Sequence, residues 1–434
     1  MKRGELIGYA GNSGGSSGPH LHFEIRDRYQ RPLNIIQNGT YKIPDKIPPV
    51  AYQLIACRLD TIQGAAMPKE DMAYFTKLKA NGQLGLAGDT ITVSSPCYFS
   101  LNLRDQMDNS KSIYGVYRCE LRLNDTLIFA YSMDKFSFDE TRYVNAMLDF
   151  SRVGSKFVRL YVAPNNPLSV YRSVKNQGLI SLKKNEVAKV SITMIDDAGN
   201  TSQLSFWAKG ADKPVGKKTP LLKSQKVALY HKSNTFAVNG FRAVLPEGAL
   251  YENCLFEVQP FGVAYGSASP VYLVKQPLTP PHRAVSIGIK ASIPEGLRSK
   301  AVMVCMSKSG GKETLSAAYQ APYFTAAARS WGYFFVALDT VAPKITPVNF
   351  TPNARLSPGQ TRITLRVQDN FNKLKSYAGY IDGAWALFDY DEKNDLMTYE
   401  IDTSRIKTDT QHTLTFTATD GVGNKAEFLC RLFF

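Results

Sequence analysis

Two stretches of this chain repeat one plan, and that plan leaves little choice of fold. In the first, Val190, Ile192 and Met194 alternate with Ser191 and Thr193, and Asp196-Asp197-Ala198-Gly199-Asn200 follows. In the second, Leu414, Phe416 and Ala418 alternate with threonines 413, 415, 417 and 419, and Asp420-Gly421-Val422-Gly423-Asn424 follows. Strict alternation puts the apolar side chains on one face of a strand. The shared Asp-x-x-Gly-Asn, with apolar runs Leu204-Ser205-Phe206 and Phe428-Leu429-Cys430 beyond it, predicts a hairpin whose short loop needs a glycine at positive φ. A calcium site needs about six to eight oxygens, more than one such loop supplies, so the motif reads as a structural turn.

The repeat extends upstream. Tyr114 to Leu123, Asn124-Asp125 and Leu127 to Tyr131 read as strand, turn and strand, as do Tyr377 to Ile381, Asp382-Gly383 and Trp385 to Tyr390. Each copy opens on a proline-stiffened lead-in, Asp45-Lys46-Ile47-Pro48-Pro49 and Asp339-Thr340-Val341-Ala342-Pro343. The first copy is longer, with Asp139 to Lys175 as the expected insertion. Both copies resemble the immunoglobulin-like modules common in bacterial envelope proteins. Between them, Lys209 to Pro220 reads as a linker. Residues 221–338 then show short strands around glycine and proline, including Leu245-Pro246-Glu247-Gly248-Ala249 and Val271 to Val274. This is another expected β-sandwich, loosely resembling the sandwich module of netrin receptors and tight-junction proteins.

A chain of 434 residues exceeds one ordinary core. Its 23 Tyr, 23 Phe, 31 Gly and 23 Pro favour strands and turns over long helices. The net charge of +15 can attract an anionic polymer. Its basic residues are scattered, with only pairs such as Lys183-Lys184 and Lys217-Lys218, and no zinc finger or RNP-like motif accompanies them, which argues against nucleic acid. The six cysteines lie far apart without a Cys-x-x-Cys and read as buried thiols; a Cys97–Cys119 disulfide cannot be deduced. No run of about 18 apolar residues predicts a membrane-spanning helix. Leu6 to Ala10 is too short for a secretory core, so no export signal is read in the chain.

Chemistry concentrates in Pro19-His20-Leu21-His22-Phe23-Glu24-Ile25-Arg26. On a strand, His20 and His22 would share one face and Leu21, Phe23 and Ile25 the other. Spacing alone is a weak metal signal, because catalytic zinc needs about three protein ligands and an open position. The longer run from Lys2 to Arg26, with its Gly-Asn-Ser-Gly loop (11–14) and Gly-Pro-His-Leu-His-Phe-Glu strand (18–24), resembles the end of the lysostaphin/LytM-type zinc metallopeptidase domain. Arg31-Pro32-Leu33-Asn34 fits that domain's exit. The resemblance covers about the first 36 residues. It implies that His22 is a zinc ligand and His20 the catalytic histidine assisting zinc-bound water, in enzymes that cut peptidoglycan cross-links. It also implies an upstream His-x-x-x-Asp pair and a further histidine, which do not precede His20 here. His231, His282 and His412 lie in no comparable motif.

The expected fold is therefore mainly β: a truncated metallopeptidase remnant (1–40), then three immunoglobulin-like β-sandwich domains at 41–210 (with the insertion), 211–338 and 339–434. The expected function is that of the C-terminal portion of a cell-envelope zinc metalloendopeptidase, inactive as written, with Zn2+ held weakly or not at all and Met1 an internal start or an artificial boundary, a genuine truncated paralogue being the rival explanation. Its modules would bind peptidoglycan or another anionic wall polymer and envelope proteins, in the envelope, periplasm or secreted. The alternative is a non-enzymatic envelope adhesion or scaffold protein. Stacking of sugars on Trp207, Trp331 and Trp385 is a weaker reading, with core packing preferred for each.

Overall fold

The computed structural model describes residues 2, 4–9, 11, 18–37, 39, 42–79, 82–151, 157–212, 221–371, 374–407 and 409–433. Most of the glycine-rich loop (12–17), Lys217-Lys218 and most of the expected linker lie outside them. Alternating burial builds the strands. Along Gln411–Asp420, residues 412, 414, 416, 418 and 420 are buried and the intervening ones are not. The chain is mainly β, arranged as several sheets.

Residues 50–210 form one path of hydrogen-bonded strands within a 12-stranded sheet. Its spine is the long hairpin Val50–Ile62 and Ala65–Leu78, which pairs on one side with Cys97–Arg104 and on the other, through Leu84–Leu86, with Thr201–Gly210. A register shift between Ala56 and Cys57 bends this spine. Leu54, Phe99 and Leu101 thereby meet Leu121, Val190, Ile192 and Phe206 in one core. The expected immunoglobulin-like sandwich is thus a continuous sheet curled over its own interior, because strands of 13 and 14 residues are too long to stay flat.

Residues 225–338 form a six-stranded and a five-stranded sheet around Phe241, Val258, Ile287, Met303, Phe324 and Phe334. Residues 344–433 form a four-stranded and a five-stranded sheet around Ile363, Leu365, Met397, Leu414 and Phe416. The Asp-x-x-Gly-Asn hairpins join Val187–Ile195 to Thr201–Gly210 and Gln411–Asp420 to Lys425–Phe433. Gly199 and Gly423 sit at φ +91° and +82°, where a side chain would be strained. The Asn124-Asp125 turn also has both residues at positive φ, the geometry that matches strand twist in a two-residue hairpin loop.

The insertion supplies the surface on which the next unit sits. From it, Arg142 donates through Nε and Nη2 to the carbonyls of His282 (3.1 Å) and Pro281 (2.6 Å). Asn165 donates through its backbone N–H to Tyr251 O (2.9 Å) and through its amide to Leu250 O (2.8 Å). Tyr251 completes a small second core with Ile55, Tyr98, Ala146, Phe157 and Tyr161 of the preceding unit. Truncating so buried an aromatic costs about 3 kcal/mol, so this residue alone ties the two units together measurably.

The described residues before 41 form no strand. Among the described residues, His20 to Ile25 belong to no strand, and the isolated bridges Arg26–Pro32 and Leu33–Lys135 follow them. Backbone hydrogen bonds join Leu33 N–H to Ile25 O (2.9 Å) and His20 N–H to Gly11 O (3.3 Å) without building a ladder among the described residues. The segment docks on the first unit through Asn34, whose amide donates to Asp197 Oδ1 (2.6 Å), and Gln37, whose amide donates to Asp197 O (2.7 Å).

Candidate functional site

His20 and His22 lie on the exposed stretch before the Arg26 bridge. His20 Nδ1 is 2.9 Å from Gly18 O, and His22 Nε2 is 2.5 Å from Glu24 Oε1. Arg26 donates from Nε to the other oxygen of Glu24 (2.6 Å), and this hydrogen bond, then that to His22, holds the Glu24 carboxyl below its usual range. Among the described residues, neither histidine belongs to a group of three potential metal ligands. His282 packs flat on Tyr143 at 4.2 Å, and His412 accepts or donates at Asp382 (2.6 Å) and Thr410 (2.8 Å).

Convergent chemistry lies elsewhere, at the turn motifs. On each of four strands the inward-facing alternation ends on an aspartate, one step past the strand for Asp105, Asp196 and Asp369 and at its last residue for Asp420. Phe99, Leu101 and Leu103 are followed in phase by Asp105, and Val190, Ile192 and Met194 by Asp196. Ile363, Leu365 and Val367 are followed by Asp369, and Leu414, Phe416 and Ala418 by Asp420. Each pair is joined by the first residue of a lead-in. Carboxylate oxygens of Asp45, Asp105 and Asp196 all lie within 4.8 Å of one another, as do those of Asp339, Asp369 and Asp420.

The asparagine clamp is the same in both copies. Asp196 Oδ1 accepts from Asn200 N (2.8 Å) and Oδ2 from Asn200 Nδ2 (2.8 Å), while that amide also donates to Asp45 O (3.1 Å). Asp420 Oδ1 accepts from Asn424 N (2.8 Å) and Oδ2 from Asn424 Nδ2 (2.7 Å), and the amide donates to Asp339 O (3.0 Å). The loop judged too poor in oxygens does not act alone. The lead-in aspartates are visible in the sequence. Asp105 and Asp369 escape sequence reading, although aligning the two copies strand by strand would expose both. Burial, followed by the neighbouring Asp196 charge, pushes the Asp105 carboxyl up to about 6.

A second feature is a cleft of about 350 Å³ between the first two units, lined by Asp60, Met67, Tyr98, Arg159, Glu252 and Leu278 among others. Its wall carries the ion pair of Arg159 with Glu252, two parallel contacts of 2.7 and 3.0 Å. The guanidinium also lies 5.1 Å from the ring centres of both Tyr98 and Tyr161. Of the three tryptophans, Trp331 packs on Phe256 and donates to Thr279 O (2.8 Å), as expected of core. Trp207 and Trp385 are exposed instead, because each occupies the outward phase of its strand.

The Zu5-like domain family matches residues 225–339. This is the stretch whose sequence resembles the sandwich of netrin receptors and tight-junction proteins. No curated protein matches the chain. Among solved structures, the Bacteroides ovatus mixed-linkage glucan utilization locus SGBP-B, in complex with a mixed-linkage heptasaccharide, is 11% identical with a TM-score of 0.15. It covers 82% of this chain and 67% of its own. A 1.5-MDa bacterial ice-binding adhesin is 9% identical, with 90% and 100% coverage and a TM-score of 0.15. The human Desmocollin-1 ectodomain is 10% identical, with 80% and 57% coverage and a TM-score of 0.16. At such TM-scores these likenesses carry no functional argument.

These findings correct the leading expectation from sequence. The family match falls on a Zu5-like domain and no peptidase family matches, so the lysostaphin/LytM-type assignment, and with it a zinc endopeptidase acting on peptidoglycan cross-links, is set aside. The physical reason is local: among the described residues, the stretch that resembles the peptidase end is exposed and belongs to no strand.

Proposed function

We propose that this chain is a non-enzymatic adhesion or scaffold protein of the cell envelope. Successive β units are held in fixed order by built junctions and offer a basic surface to anionic wall polymer. The observation that carries this reading is the first junction. The insertion of the first unit, which also contributes strands and core residues to its own sheet, contacts the Zu5-like domain through a buried bidentate ion pair, an aromatic plug and four directed hydrogen bonds. Evolving such a joint is useful to a protein that transmits position or force. The surplus of 52 Lys and Arg over 37 Asp and Glu supplies long-range attraction to an anionic partner. Among the described residues, no helix is long and apolar enough to cross a membrane.

Co-sedimentation of the full chain with insoluble, anionic peptidoglycan tests this. The chain should pellet at about 50 mM salt and be released near about 0.5 M, where exposed charges are screened. Failure to pellet at low salt, or release of soluble peptide fragments, would refute the reading.

A further inference from the structure

The geometry assigns a binding site for a hard divalent cation of the calcium class to the Asp45, Asp105 and Asp196 carboxylates at one end of the first, curled-sheet unit. Three segments distant in sequence deliver one carboxylate each: a lead-in, the end of Cys97–Arg104, and the turn after Val187–Ile195. Oxygens on opposite sides of a Ca2+ ion, each at about 2.4 Å, stand about 4.8 Å apart, so the observed spread fits around one such ion. Oxygen-only donors select hard cations over zinc or copper.

A second observation separates this cluster from an ordinary acidic patch. Asp105 is only 3% exposed, and its Oδ1 is buried without a hydrogen-bond partner among the described residues. Burying a bare carboxylate oxygen is costly unless something positive meets it. Among the described residues, no lysine or arginine forms an ion pair with any of the three aspartates. The Asn200 clamp occupies one approach to each Asp196 oxygen, leaving the second lone pair of each for a ligand. The backbone supports the same centre: Asp45 Oδ1 accepts from Ile47 N (3.1 Å) and Asp108 N (3.2 Å), fixing the lead-in carboxylate in place. The same three-segment arrangement recurs at Asp339, Asp369 and Asp420, which shows that it is a built feature of the repeat.

A cation here would pin the lead-in, and with it the Asn34 to Asp45 stretch, onto the sandwich. The test is calorimetric titration of the full chain, stripped with chelator, using CaCl2 alone. The wild type should show saturable binding, and Asp105→Asn, which keeps the shape and removes the charge, should weaken that binding at least tenfold. Asp45→Asn, on a half-buried lead-in, provides the same reading if the Asp105 variant does not fold. Limited proteolysis gives an independent readout: Ca2+ should slow cleavage within residues 34–49 of the wild type at least tenfold, and of neither variant. Absence of saturable Ca2+ binding, or binding unchanged in both variants, would overturn the assignment.

Discussion

Arg159 of the first, curled-sheet unit and Glu252 of the Zu5-like domain meet through two parallel contacts, Nη1 to Oε1 at 2.7 Å and Nη2 to Oε2 at 3.0 Å. Their side chains are 5% and 17% exposed, so the pair is largely withdrawn from water. Charged pairs in that position contribute little over an apolar contact but are expensive to break one-sidedly. Glu252→Gln should therefore destabilise the chain by about 3 kcal/mol in denaturant unfolding. The double change Arg159→Met with Glu252→Leu should cost clearly less, since it strands no charge.

His282 gives the same junction a pH dependence. Its ring stacks on Tyr143 and meets Tyr251 edge-on, its Nδ1 is buried without a partner among the described residues, and its chain neighbour Arg283 adds positive charge. Burial first, then the charges of Arg142, Arg283 and Arg329, holds its pKa below the usual 6.5. The unfolded chain therefore binds the proton more readily. This contribution to stability is complete above about pH 6.5 and is lost as pH falls towards the lower folded value. In His282→Phe, which keeps the stacking, stability measured between pH 7.5 and 5 should fall less steeply than in the wild type.

The thiols should be inert in the native state. All six cysteines are unpaired, and five of them are fully buried. Burial pushes Cys57 and Cys97 up to about 12 and Cys305 and Cys430 up to about 11, far from the thiolate needed for reaction. A thiol-reactive disulfide reagent at pH 8 should label less than one cysteine per native chain and six after denaturation. Rapid native labelling of two or more would show the sandwiches to be more open than described.

Asn424 is the test of the turn motif. Its buried amide spans the Asp420 carboxylate and the Asp339 carbonyl, linking the Zu5-like domain's last residue to the final hairpin. Asn424→Ala leaves both acceptors without this donor and should cost about 2 kcal/mol by thermal unfolding. A loss below about 0.5 kcal/mol would mean that water replaces the clamp without penalty.

Much of this architecture is legible in the chain because alternation is a local property. The threonine-spaced Leu414, Phe416 and Ala418, the Asn124-Asp125 turn and the glycines of the two hairpins each specify their geometry from a few neighbours. What resists reading is what depends on distant partners. Pro19 to Arg26 has strand-like alternation, yet it joins no strand among the described residues. The carboxylate centre is divided among residues 45, 105 and 196, and only folding brings them together. Asp105 carries a faint local signal, as a charged residue in the inward phase of an apolar strand. Likewise, nothing in the Asp139 to Lys175 insertion announces a docking surface, because Arg142, Arg159 and Asn165 find their partners 140, 93 and 85 residues later.

Calorimetric unfolding of the full chain, wild type against Glu252→Gln, tests most directly whether the first two units are mechanically one body. The account predicts that residues 50–210 and the Zu5-like domain melt in a single transition, and that the substitution lowers it or splits it in two. Two separate transitions in the wild type, both unmoved by the substitution, would contradict it.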